Sequence, residues 1–187
     1  MIVSRSQIAV VALLVALGGL SACGSDKQTD KLSGDLGPGL GGPAVSSLTA
    51  LDLTKPDGSV IGSLGYDAAF FTPTGPTGTF QAALSSPAYG ITIGLSHISG
   101  RPDTPCRFNA AVLARDAAYQ IGDTGFRTNA SGQDLYEVDL SVPGTYLRLY
   151  CAKLRENVGM QFTVAANSPD KVGWMQVHAT LNSVRAQ

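Results

Sequence analysis

The sequence predicts an α+β fold: an antiparallel β-sheet with helices over about residues 106–120 and 169–185 packed on one of its faces. Three observations lead there. Residues 135–165 alternate apolar and polar side chains in three successive runs, the pattern of a half-buried meander. In residues 169–185, Trp174, Val177, Leu181 and Val184 recur at helical spacing. Finally, Cys106 opens the first helix and Cys151 lies among the apolar positions of the middle strand. In an exported protein such a pair is expected to form a disulfide, stapling helix to sheet.

Export is expected from the N-terminus. Arg5 is the one charge before Asp26, residues 8–17 (IAVVALLVAL) are apolar, and Gly18-Gly19 breaks the run. Ten apolar residues in a helix cover roughly 15 Å, about half of a ~30 Å hydrocarbon core. The segment is therefore expected to be read by an export machine and removed.

The next four residues, Leu20-Ser21-Ala22-Cys23, resemble the lipobox of bacterial lipoproteins. The resemblance implies a signal peptide over 1–22 and a diacylglyceryl thioether on Cys23. Each buried methylene contributes ~0.8 kcal/mol, so two or three long chains would hold the protein at a membrane. Ordinary cleavage after Ala22, leaving a free Cys23 thiol, is the rival reading. Gly24 after the cysteine resembles lipoproteins sent to the outer membrane of Gram-negative cells. In other hosts the protein would sit on the outer side of the plasma membrane.

Residues 23–47 read as a tether and residues 48–187 as a single globular domain. The tether has scattered charges and then Gly37-Pro38-Gly39-Leu40-Gly41-Gly42-Pro43, with no apolar period. As a flexible coil it would reach about 26 Å. Gly37-x-Gly39-x-x-Gly42 fits a dinucleotide fingerprint by letter, but a strand before it and a helix within it are both missing. At 44% hydrophobic and 14% charged residues the chain can build a core, and its net charge is −1. It has no basic stripe, which argues against nucleic acid and against an electrostatic membrane patch.

Within the domain, residues 48–54 and 59–64 read as strands around the turn Lys55-Pro56-Asp57-Gly58. Residues 68–72 and 79–85 read as strands on either side of an exposed loop, 73–78. Residues 89–99 place Ile91, Ile93 and Leu95 on one face, with His97 at its end. Residues 106–120 are helical, with Phe108, Ala111, Val112 and Tyr119 on a stripe. Gly122-Asp123-Thr124-Gly125 and Asn129-Ala130-Ser131-Gly132 read as loops.

Three more strands are expected, over residues 135–140, 145–154 and 158–165. Their apolar sets (Tyr136, Val138, Leu140; Leu147, Leu149, Cys151; Val158, Met160, Phe162, Val164) can share one face. The last helix starts with Ser168 as N-cap, Pro169 at the first position and Asp170 at the positive end of the dipole. Gly173 inside it costs about 1 kcal/mol against Ala unless packing requires it.

Chemistry is sparse. The sequence has no His-Glu-x-x-His, Gly-x-Ser-x-Gly, phosphate loop or Cys-x-x-Cys. His97 and His178, its two histidines, are too few for a usual His-rich metal site and read as structural. No catalytic residue, cofactor or metal is therefore assigned. The candidate binding face is the sheet side opposite the helices, with Tyr146, Arg148 and Tyr150 beside Glu137 and Asp139. The rival is a solvated face on which Arg148 pairs with an acid.

The order of meander, long helix and Ser183-Val184-Arg185 is also similar to the end of PsbP-like lipoproteins, over roughly the last 55 residues. That resemblance implies an α+β fold and an accessory or binding role. The expected function is thus a lipid-anchored cell-envelope module that engages an envelope protein partner without catalysis. Two alternatives stay open: a hydrolase using His97 or His178 with a loop serine, and a carrier of an apolar ligand between helices and sheet.

Overall fold

The computed structural model describes residues 48–117, 119–142, 144–167 and 171–187. The signal peptide over 1–22, the Cys23 lipidation site and the tether over 23–47 lie outside the described residues. So do Pro143, Ser168, Pro169 and Asp170.

Two antiparallel sheets form. The smaller has the order β1-β2-β10, from β1 (Thr49–Thr54), β2 (Val60–Tyr66) and β10 (Arg185–Ala186). The larger comprises β3 (Thr72–Thr74), β4 (Ala82–Ser86), β5 (Ile91–Ser99), β6 (Gln120–Thr128), β7 (Asp134–Val142), β8 (Thr145–Arg155) and β9 (Val158–Ala166). Its seven strands run in the order β3-β4-β5-β9-β8-β7-β6. Among the described residues the α-helices are α1 (Asp103–Ala117) and α2 (Lys171–Asn182).

The strands and helices are those of an α+β chain, but the helices do not share a face. On β7 and β8, Tyr136 stands opposite Cys151, Val138 opposite Leu149 and Leu140 opposite Leu147. This face is covered by Cys106, Ala110 and Leu113 of α1. On β9, however, Phe162 stands opposite Tyr150 and Val164 opposite Arg148. The apolar set of β9 therefore points to the other face, one residue out of step with the single-face expectation. There it meets Ile91, Ile93 and Leu95 of β5, and α2 covers it with Trp174, Val177 and Leu181. The small sheet adds Leu53, Ile61 and Leu64 to the same core. Over its central strands β8 and β9 the large sheet is buried on both faces, whereas β3 and most of β6 are exposed. A period of two fixes which residues share a side on one strand but leaves the relative register of two strands open by one residue.

Local corrections have local causes. α1 starts at Asp103 rather than 106, because Pro105 fits in the first turn, where its missing N–H is no loss. Tyr119 lies beyond α1 and is buried against the same sheet face. Residues 120–128 form β6 rather than a loop: Ile121 pairs with Leu140 and Thr124 with Val138, with a bulge between them. Residues 67–71 are a turn in which Phe70 and Phe71 donate backbone N–H groups to Asp67 O, so β3 starts only at Thr72.

Two devices fasten the helices. Cys106 and Cys151 stand at disulfide distance, with Cα atoms 6.0 Å apart and a sequence separation of 45. In the chain-entropy account, closing such a loop contributes roughly 4 kcal/mol. At the far end of α2, the Asn129 side chain donates to Leu181 O at 2.9 Å and Val184 O at 2.8 Å. Its Oδ1 accepts from Ser131 N and Gln133 N. One buried amide thus shapes the β6–β7 turn and satisfies carbonyls at the helix end. Gly173 has its packing reason too: a Cβ there would run into the Ile91 side chain.

Asn129→Ala removes this fourfold link and leaves buried polar groups without partners. We predict a loss of about 2–4 kcal/mol in urea unfolding. A loss under about 0.5 kcal/mol, the range of an inert surface substitution, would contradict the role given to Asn129.

Candidate functional site

The residues singled out for binding, Tyr146, Arg148, Tyr150 and Glu137, fall on the sheet face that α2 and the small sheet cover. Tyr150 is fully buried and Glu137 is 6% exposed, so the open solvated face predicted for them does not exist. Tyr146, at 39% exposed, is the member that reaches the surface. The correction arises from the register of β9: once Phe162 and Val164 share a side with Tyr150 and Arg148, that side must be covered.

Neighbouring strands bring these side chains into one charged cluster. Arg148 on β8 lies between two β7 acids. Its Nε is 2.6 Å from Asp139 Oδ1, an ion-pair contact not aligned as a hydrogen bond, and its Nη1 is 3.4 Å from Glu137 Oε1. Tyr150 Oη donates to Glu137 Oε1 at 3.2 Å, and Arg127 Nε on β6 donates to Glu137 Oε2 at 3.2 Å. From above, the Trp174 ring of α2 lies 4.9 Å from Arg148 Cζ, a cation–π contact. Two arginines thus face two carboxylates, and the Arg148 fork is already engaged on three sides.

The surroundings set the titration. Burial raises the Asp139 carboxyl to about 6, with Arg148 pulling the other way and Glu137 and Asp123 adding to the rise. Burial likewise holds the Tyr150 phenol well above its ordinary range, helped by the charge of Glu137. His178, one turn after Trp174, is lowered to about 4, first by burial and then by the nearby Arg148 charge. It is therefore neutral at pH 7.

Among the described residues, His97 Nε2 and His178 Nε2 are both buried without a hydrogen-bond partner. Trp174 Nε1 is unpartnered in the same way. No group of three or more His, Cys, Asp or Glu suited to a metal ion occurs among the described residues. Sequence reasoning missed Arg127, because it lay in a segment read as loop, and Trp174, because it was read as core only.

No protein family matches the sequence, and no curated protein matches it. Among solved structures, the chain is similar to the solution structure of cyanobacterial PsbP (CyanoP) from Synechocystis sp. PCC 6803. The TM-score is 0.53 at 7% identity, covering 81% of this chain and 100% of that one. The fold is PsbP-like.

The cluster makes a prediction about pH. Asp139, raised in the folded state, contributes stability that is present at low pH and lost as pH rises through about 6. His178, lowered in the folded state, contributes stability that is present above its ordinary 6.5 and lost as pH falls toward 4. Arg148→Met leaves two acids without their shared cation and should cost about 3–5 kcal/mol at pH 7. The cost should shrink at pH 5, where Asp139 already holds a proton. Urea unfolding at the two pH values checks this, and a cost that is equal or larger at pH 5 would contradict it.

Proposed function

We propose that this PsbP-like chain is a cell-envelope lipoprotein, anchored through Cys23, whose domain serves as a binding or assembly module rather than an enzyme. The observation that carries the reading is how the interior is occupied. Both faces of the large sheet's central strands are covered by side chains of the domain itself. The charges between the layers are matched to one another rather than presented to a substrate. Function then falls to the outer surface, where Tyr146 stays accessible beside the cluster.

The alternatives have less support. For the hydrolase, the buried Nε2 atoms of His97 and His178 make no direct hydrogen bond to a serine or an acid. A carrier needs apolar space between helix and sheet, whereas Trp174, Val177, Leu181 and Val184 occupy that layer at 4% exposure or less.

Location rests on the lipobox-like Leu20-Ser21-Ala22-Cys23. The anchor would keep the domain on the periplasmic side of the outer membrane in a Gram-negative host, or outside the plasma membrane otherwise. The expected partner is an envelope protein.

Two measurements on producing cells test this reading. Cys23→Ser should accumulate as unprocessed precursor starting at Met1, read by intact mass. A normally cleaved, soluble product from that variant would defeat the anchor. A photo-crosslinker in place of Tyr146 should give a discrete envelope-protein adduct, and its absence would defeat a module that binds through this surface.

A further inference from the structure

Away from the charged cluster, three separate segments lie beside one another and carry apolar side chains that reach the surface. Tyr89, 38% exposed, ends the short 3-10 turn Pro87–Tyr89, and Pro87 and Ala88 before it are exposed as well. Phe70 lies against Tyr89 with ring centroids 4.5 Å apart, and Ala68 and Ala69 beside it are exposed. From the other side comes the first turn of α2. A Cβ on Gly173 would lie 3.9 Å from Tyr89 Cβ, and the adjoining Val172 is 48% exposed.

The backbone holds this patch in shape. Gly90, at φ 59°, donates its N–H to Pro87 O at 3.2 Å, and Asn167 N donates to Gly90 O at 3.1 Å. Phe70 N and Phe71 N share Asp67 O, while Asp67 Oδ1 takes the Ala69 N–H. The turns that carry these side chains are thus held by internal hydrogen bonds at Asp67, Pro87 and Gly90. Those internal bonds reduce, without removing, the number of backbone groups that would need water at an apolar boundary.

We infer that the patch of Phe70, Tyr89 and Val172 rests on the lipid bilayer to which the chain is anchored. The inference builds on the anchor proposed above. The described chain begins at Leu48, so residues 24–47 separate it from Cys23. As the tether expected from their composition, these residues would reach about 26 Å, enough to bring any side of the domain to the lipid surface. Tethering at that range gives an effective concentration on the order of millimolar, enough to populate a contact of a few side chains. Phe70, Tyr89 and Val172 carry no charge, so the attraction is apolar and a zwitterionic bilayer suffices. A tyrosine among aliphatic groups suits that boundary, with its ring toward the acyl chains and its phenol in the headgroups.

Fluorescence quenching by brominated lipid tests it. The full chain carrying Tyr89→Trp is extracted from membranes and reconstituted in phosphatidylcholine vesicles with or without bromine on the acyl chains. Seated about 5–10 Å into the headgroup boundary, the introduced indole should lose about half its emission or more to bromine. The unsubstituted chain, whose Trp174 is buried, and Phe126→Trp, on β6, should lose little. Val172→Trp repeats the measurement if Tyr89→Trp folds poorly.

Quenching of Tyr89→Trp no greater than that of Phe126→Trp overturns the inference. So does a blue shift without bromine quenching, which would mean the patch covers a protein surface. Intact mass and flotation separate the two readings. A chain that floats with acyl mass but is not quenched keeps the anchor and loses the patch. One that floats and is quenched without acyl mass does the reverse, and one that does not float loses both.

Discussion

A guanidinium cannot be buried in this sheet without company, and most of the architecture reflects how Arg148 obtains it. Its side chain is only 12% exposed, held between Asp139 and Glu137 on the next strand. Removing such charges from water costs several kcal/mol per ion, recovered only when the remaining hydrogen-bonding positions are filled. Arg127 and Tyr150 fill those of Glu137, and the Trp174 ring closes the open side of Arg148. The cluster therefore fixes three strands and one helix relative to one another. On the face that carries the charges α2 supplies the Trp174 ring, and on the face that carries Cys151 α1 supplies Cys106, Ala110 and Leu113.

The remaining fastenings act at the ends of that arrangement. The Cys106–Cys151 pair ties the start of α1 to β8, while Asn129 ties the β6–β7 turn to the end of α2. Gly173 lets the start of α2 come close to Ile91 on β5. Each is a local device whose effect is to set the height of a helix above the sheet.

Much of this could be read from residue order, for physical reasons that differ by element. The alternation in β7, β8 and β9 is visible because each strand has one wholly apolar side. Cys106 and Cys151 were paired because they are the two cysteines of the domain. The side of the sheet that β9 presents was not legible, since Val158, Met160, Phe162 and Val164 fit either register equally well by period alone. Tyr146, Arg148 and Tyr150 misled for a related reason: tyrosine and arginine suit both a binding face and a roofed ion cluster, and only the cover distinguishes them. β6 was hidden because the bulge between Ile121 and Thr124 breaks the period, and its Gly-Asp-Thr-Gly core has the composition of a loop.

The contact between Arg148 and Trp174 is the most exposed joint of this architecture, because it requires the sheet to be covered on the α2 side. Proton NMR of the folded protein tests it directly, through nuclear Overhauser contacts and ring-current shifts at the Arg148 side chain. Strong contacts from the Arg148 δ-methylene to the Trp174 indole, with those protons shifted upfield, are the predicted result. Arg148 resonances at ordinary exposed positions, with no contact to the indole, would contradict it.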